Sequence, residues 1–128
     1  MKIRVTSVAI AALLSGCAIP NPTAMEHLDD IPFAKFSEID AIPEIPTNTL
    51  STTPHATLAD VVGVSCRRSF GGQAASWEDA VRRTKYRAMQ KGANAIANLS
   101  CGPPEGRSLT TLCFESIRCT ASAIQIQK

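Results

Sequence analysis

Hydrophobic and polar positions along this 128-residue chain fall into three regimes. Val5 to Leu14 is an apolar run broken only by Thr6 and Ser7. Residues 18–57 scatter their apolar side chains among prolines with no sustained period. From Leu58 a period returns: Leu58, Val62, Val64 and Cys66 alternate with more exposed positions, which predicts a strand. Gly71-Gly72 opens a loop. Ser76 then caps a helix whose first turn carries Glu78 and Asp79, favourable at its positive end. At about 100° per residue Trp77, Ala80, Val81, Thr84 and Ala88 share one side, and Gly92 stops the helix. The opposite side and its flank carry Arg82, Arg83, Tyr86, Arg87 and Gln90. Ala93 to Cys101 reads as a second strand, and Gly102-Pro103-Pro104-Glu105-Gly106 as a loop. Thr111 to Ile126 is long enough for one bent strand or two, with Ile117, Ile124 and Ile126 as core candidates. The order β-α-β-β predicts an α+β fold, a small antiparallel β-sheet packed by one helix.

The apolar run at the start follows two cations, Lys2 and Arg4. At roughly ten residues it is too short for the ~20 that span a bilayer as a helix, and it has the layout of a secretion signal. The stretch Leu14-Ser15-Gly16-Cys17 resembles the bacterial lipobox. That resemblance implies that residues 1–16 are a signal peptide and that Cys17 carries diacylglycerol and an N-acyl chain. Each buried CH₂ contributes about 0.8 kcal/mol, so two or more chains anchor a protein stably without spanning the membrane. Ala18 stands where lipoproteins retained in the inner membrane often carry Asp, which points to the outer membrane, with the domain facing the periplasm.

Removing residues 1–16 of the 128 leaves 112, enough for one small domain. Charge divides that length sharply. Residues 18–57 hold Lys35 against Glu26, Asp29, Asp30, Glu38, Asp40 and Glu44, a net of −5; residues 58–128 hold ten cations against five anions, a net of +5. Six of the eight prolines lie in the acidic part (Pro20, Pro22, Pro32, Pro43, Pro46 and Pro54). Proline removes backbone donors and biases its neighbours to extended conformations. Residues 17–57 therefore read as a lipidated cysteine and acidic tether, with a reach of ~120 Å in polyproline II form, and residues 58–128 as the folded domain. The alternative is a segment that packs on the domain through Ile31, Phe33, Phe36, Ile39, Ile42 and Ile45.

A domain this small, and poor in aromatic residues, usually needs staples. Cys66, Cys101, Cys113 and Cys119 remain once Cys17 is acylated. An even count in a small exported domain implies two disulfides. Cys113 and Cys119 lie about 20 Å apart if the chain between them is extended, beyond the roughly 7 Å a disulfide allows. Two pairings stay open: 66–113 with 101–119, or 66–119 with 101–113. Zinc by four thiolates favours close pairs such as Cys-x₂-Cys, whereas the separations here are 35, 12 and 6. His27 and His55 sit in the tether. Neither a Cys-x-x-Cys motif nor a Ser/His/Asp set falls in the domain, so no enzyme, no metal site and no cofactor beyond the covalent lipid is expected.

The lipobox, the Pro-rich spacer, Val62-Gly63-Val64-Ser65-Cys66, the basic helix running into Lys91-Gly92-Ala93-Asn94-Ala95-Ile96, and then Cys101, Cys113 and Cys119 together resemble the RcsF family. These are outer-membrane lipoprotein sensors of the Rcs envelope-stress phosphorelay. The resemblance covers the chain in layout and residues 60–126 in motif. It implies disulfides Cys66–Cys113 and Cys101–Cys119, assembly with outer-membrane β-barrel proteins through BamA, and signalling to the inner-membrane protein IgaA. The spacer departs from the family pattern, being acidic where the family's is rich in Lys and Pro. The helix arginines Arg82, Arg83 and Arg87, with Arg67 and Arg68, are the candidate partner-binding surface, since a patch of one sign steers association with acidic partners. The alternative for them is a solvated helix face. Partners are expected to be proteins and, through the lipid, the membrane; no nucleic acid is expected.

Overall fold

The computed structural model describes residues 31–106 and 113–127; residues 1–16, expected as a signal peptide, and Cys17 and Ala18 lie outside them. A 3₁₀ turn at Phe33–Lys35 leads into α1 (Phe36–Asp40), β1 (Glu44–Ile45) and α2 (Thr47–Leu50). There follow β2 (His55–Arg67), α3 (Trp77–Gln90), β3 (Ala95–Cys101) and β4 (Glu115–Ile126). The four strands form one mixed sheet in the order β1-β3-β4-β2, packed by α3: an α+β fold.

The β-branched run through Val61, Val62 and Val64 favours extended chain. β2 pairs antiparallel with β4 from His55↔Ile126 to Arg67↔Glu115, and the register slips between Thr57 and Ala59. Leu58 is the extra residue at that slip and lies 44% exposed. It is not the inward residue that the alternation predicts, because a bulge re-aims the side chain it carries. Beyond the bulge Val61, Gly63 and Ser65 face the helix. Val61 packs in the same cluster as Ala88, and the Ser65 hydroxyl accepts from the Ser76 N–H at 3.0 Å. Val62, Val64 and Cys66 therefore occupy the other face.

Helix α3 starts and stops as its sequence dictates. The Ser76 hydroxyl accepts from the Asp79 N–H at 3.1 Å. At the other end Gly92 adopts φ +84°, and the Ala93 N–H reaches back to the Ala88 carbonyl at 3.0 Å, the left-handed cap that glycine favours. Ala93 is thus used by the helix, which is why β3 begins at Ala95 and not at Ala93. The buried stripe is Ala80, Thr84 and Ala88. Small residues there let the helix sit on Gly63, and the Thr84 hydroxyl is satisfied by the Ala80 carbonyl at 2.8 Å. Trp77, expected on this stripe, is 51% exposed.

β3 is antiparallel to β4, while β1 is parallel to β3 through Glu44↔Ile96 and Ile45↔Ala97. Core side chains collect on both faces of the sheet. Under the helix lie Val61, Ile96, Ala121 and Ala123, with Ile117 and Cys119 beside Ala80. On the far face Ala95, Ala97 and Ile124 are covered by Ile45, Leu50 and the half-buried Ile126.

The boundary expected at residues 57 and 58 falls inside β2, and residues 31–57 are part of the folded unit. Ile39 is fully buried and Ile42 nearly so; burying an isoleucine contributes about 1.5–3 kcal/mol. The prolines that argue for a free tether bound short elements instead. The Pro43 carbonyl accepts from the Ile96 N–H at 3.0 Å, and the Pro46 carbonyl accepts from Leu50 at the start of α2.

Disulfides join Cys66 to Cys113, with Cα atoms 5.4 Å apart, and Cys101 to Cys119, with Cα atoms 4.0 Å apart. Strand geometry explains the choice. Cys101 and Cys119 are directly opposed in the β3–β4 register. Cys66 pairs with Ser116, three positions from Cys119, so the Cys66 and Cys119 side chains point to opposite faces. A 66–119 bridge would have to pass through the sheet. Among the described residues no helix is long and apolar enough to cross a membrane.

Candidate docking site

The candidate surface lies where the end of β2, the loop after it and the first turns of α3 meet the N-terminal segment. Here a cleft of about 550 Å³ is lined by Ile31, Phe36, Ser65, Arg68, Gln73 and Arg83. Glu78, Asp79 and Arg82 complete the lining from α3.

The structure separates the five sequence-predicted arginines. Arg82 is turned into the molecule and engages α1. Its Nε donates to Asp40 Oδ1 at 2.9 Å, and Nη2 donates to Asp40 Oδ2 at 3.1 Å and to Glu78 Oε1 at 3.3 Å. The guanidinium carbon lies 4.4 Å from the centroid of the Phe36 ring, a cation–π contact. Phe33 supports that ring at a centroid distance of 5.1 Å. With its side chain only 17% exposed, Arg82 is a fastening for the N-terminal segment. Arg83 pairs with Asp79 at 3.0 Å, and Arg87 donates to Gln90 at 3.1 Å. Spaced four apart, Arg83 and Arg87 share one flank of α3. Arg67 lies against Phe70, donating to its carbonyl, and accepts through its own carbonyl from the Phe114 N–H at 2.8 Å. Arg68, Arg82 and Arg83 therefore come together at the cleft, whereas Arg67 and Arg87 stand outside its lining.

Hydrogen bonding from Arg82 holds the Asp40 carboxyl below its ordinary value of 3.8, against a smaller opposing effect of desolvation. A carboxylate whose folded pKa is depressed stabilises above its ordinary pKa, and that contribution disappears as pH falls through the lower value. Amide protection at Ile39 and Ile42 is accordingly expected to be full above pH ~4 and to decline below it. Asp40→Asn should weaken that protection at neutral pH and remove its acid dependence, as hydrogen exchange can measure. Equal protection in the variant would show that the Arg82–Asp40 pair contributes nothing to fastening α1.

Two features escape the sequence reading. Asp40 and Phe36 are the partners of Arg82; the only trace of this is the opposed charge of the two parts of the chain. The other is the exposure of the aromatics. Phe33 and Phe70 are each 84% exposed and Phe114 41%, so apolar rings lie at the surface while the fully buried side chains are aliphatic, Thr and Cys. Aromatic rings beside arginines make a surface of the composition found in protein interfaces. All four described cysteines are disulfide-bonded. The chain matches no protein-family model and no curated protein.

Proposed function

We propose that the chain is a lipid-anchored outer-membrane protein whose disulfide-bonded domain senses envelope stress and signals by protein–protein contact to the Rcs phosphorelay. The disulfide pairing carries this reading. Spacing leaves two arrangements open, and the chain has the one implied by its resemblance to RcsF, Cys66–Cys113 with Cys101–Cys119. Two disulfides in a small domain belong to an oxidising compartment, in accord with export and acylation at Cys17. On this reading BamA and outer-membrane β-barrel proteins are the partners on the anchor side and IgaA is the receiver. Arg68, Arg83 and Arg87 form the docking side, while Arg82 serves the fold.

One observation favours a second reading, an accessory lipoprotein that binds barrel proteins or cell wall without signalling. Part of the expected spacer, through Ile42, Ile45 and Leu50, is packed on the domain instead, which holds the domain nearer its own membrane than a free tether of residues 18–57 would. Deleting the gene distinguishes the two. Loss of a stress-induced transcriptional response is the result expected of the sensor. A leaky envelope with that response intact would replace the sensor with the accessory reading.

A further inference from the structure

The cleft at the end of β2 is polar, yet its charges are already matched. Arg82 engages Asp40 and Glu78, Arg83 engages Asp79, and Arg68 has a partner as well. The Arg82 and Arg83 side chains are mostly buried. An ionic ligand would have to break one of these pairs and leave a largely buried charge uncompensated, which is costly. A neutral ligand meets no such penalty.

What the lining offers is hydrogen-bonding capacity of both kinds. Ser65 lines the cleft and is only 2% exposed. Its hydroxyl oxygen accepts from the Ser76 N–H, and its own proton finds no acceptor among the described residues. A buried donor in that state costs free energy until something from outside the chain accepts from it. Asp79 gives Arg83 only part of its accepting capacity. The exposed Gln73 amide adds donors and an acceptor, and Ile31 and Phe36 supply apolar lining. At about 550 Å³ the space falls within the range of ligand clefts, roughly 300–1,000 Å³.

We propose that the cleft binds an uncharged saccharide. Each sugar hydroxyl both donates and accepts, so one ring can satisfy the Ser65 proton, the Asp79 carboxylate and the Gln73 amide together. The C–H face of a sugar is faintly positive and packs on aromatic surface such as Phe36, whose ring face is negative. The matched ion pairs hold Asp79 in place before the ligand arrives, which lowers the ordering cost of binding. Two sources present this chemistry: an N-acetylated glycan of the cell-wall type and a chain of neutral hexoses.

NMR titration of the full chain with N-acetylated chitotriose, and separately with maltotriose, tests this. Saturable shifts of the Ser65, Gln73 and Ser76 amides are expected with at least one of the two sugars. A response to chitotriose alone assigns the site to acetylated glycan, and a response to maltotriose alone to neutral hexoses; a response to both shows that hydroxyls suffice. Affinity should be the same at low and at high salt, because the ligand carries no charge to screen. Gln73→Ala is expected to weaken binding about threefold or more by removing hydrogen bonds. Gln125→Ala should leave it unchanged, since Gln125 pairs with Ala56 at the other end of β2. The absence of saturable shifts with both sugars would overturn the proposal. Unaltered affinity in Gln73→Ala would overturn it too, as would tighter binding of the cationic, deacetylated chitotriose or of a sulfated trisaccharide.

Discussion

Replacing Cys66 and Cys113 together by alanine is expected to lower the unfolding free energy by about 4 kcal/mol on the chain-entropy account, because the bridge closes a long loop. The same change at Cys101 and Cys119 should cost about 3 kcal/mol, since the sequence separations are 47 and 18. The order follows from loop length, and the severity follows from the core. A domain of this size has only about 5–15 kcal/mol of net stability, and its largest fully buried side chains are isoleucines. Loss of either bridge therefore removes a large fraction of the whole. Denaturant unfolding of each double variant measures this. A loss below about 1 kcal/mol for the Cys66–Cys113 pair would show that the covalent link constrains little beyond what β2 and β4 already fix.

The second large effect is expected at Gly63. A Cβ built there would lie 2.3 Å from the Thr84 nitrogen and 2.5 Å from the Ala80 carbonyl oxygen. Both obstacles are helix backbone, so no rotamer change relieves the overlap and α3 must move off the sheet. Overpacking of this kind costs about 1–3 kcal/mol and occasionally more; for Gly63→Ala the upper end is expected. Gly71→Ala is the matched control, since a Cβ there meets nothing within 4 Å. Equal stability of the two variants would mean that α3 does not sit on β2 at Gly63.

That glycine also shows where sequence reasoning fails. Alternating hydrophobicity points to Val62 and Val64 as the buried face of β2, yet Gly63 and Ser65 lie under the helix and are buried too. The face a helix covers most closely must be built from small residues, and small residues carry little hydrophobic signal. Helix α3 was legible because its signals are local: a Ser76 cap, acidic residues in the first turn, and Gly92 at the end. Strands β2, β3 and β4 were legible from short apolar runs bounded by loops. The packing of residues 31–50 was harder, because two-residue β1 and four-residue α2 are too short to show a period. Their stability comes from contacts with residues such as Ile96, Ala97 and Ile124, distant in sequence. Within the candidate site the arginines themselves were evident, but their division was not. Both Arg82 and Arg83 line the cleft, and which of them is fastened to Asp40 depends on where α1 lies, a position set by the burial of Ile39 and Ile42.

Non-reducing peptide mapping of the mature protein by mass spectrometry tests the central claim most directly. It reads the mass on Cys17 and the connectivity of the other cysteines in one experiment. The expected result is a chain that begins at an acylated Cys17 and holds Cys66–Cys113 and Cys101–Cys119 bridges. An unmodified Cys17, or four free thiols in the domain, would contradict the reading of a lipid-anchored, disulfide-stapled envelope protein.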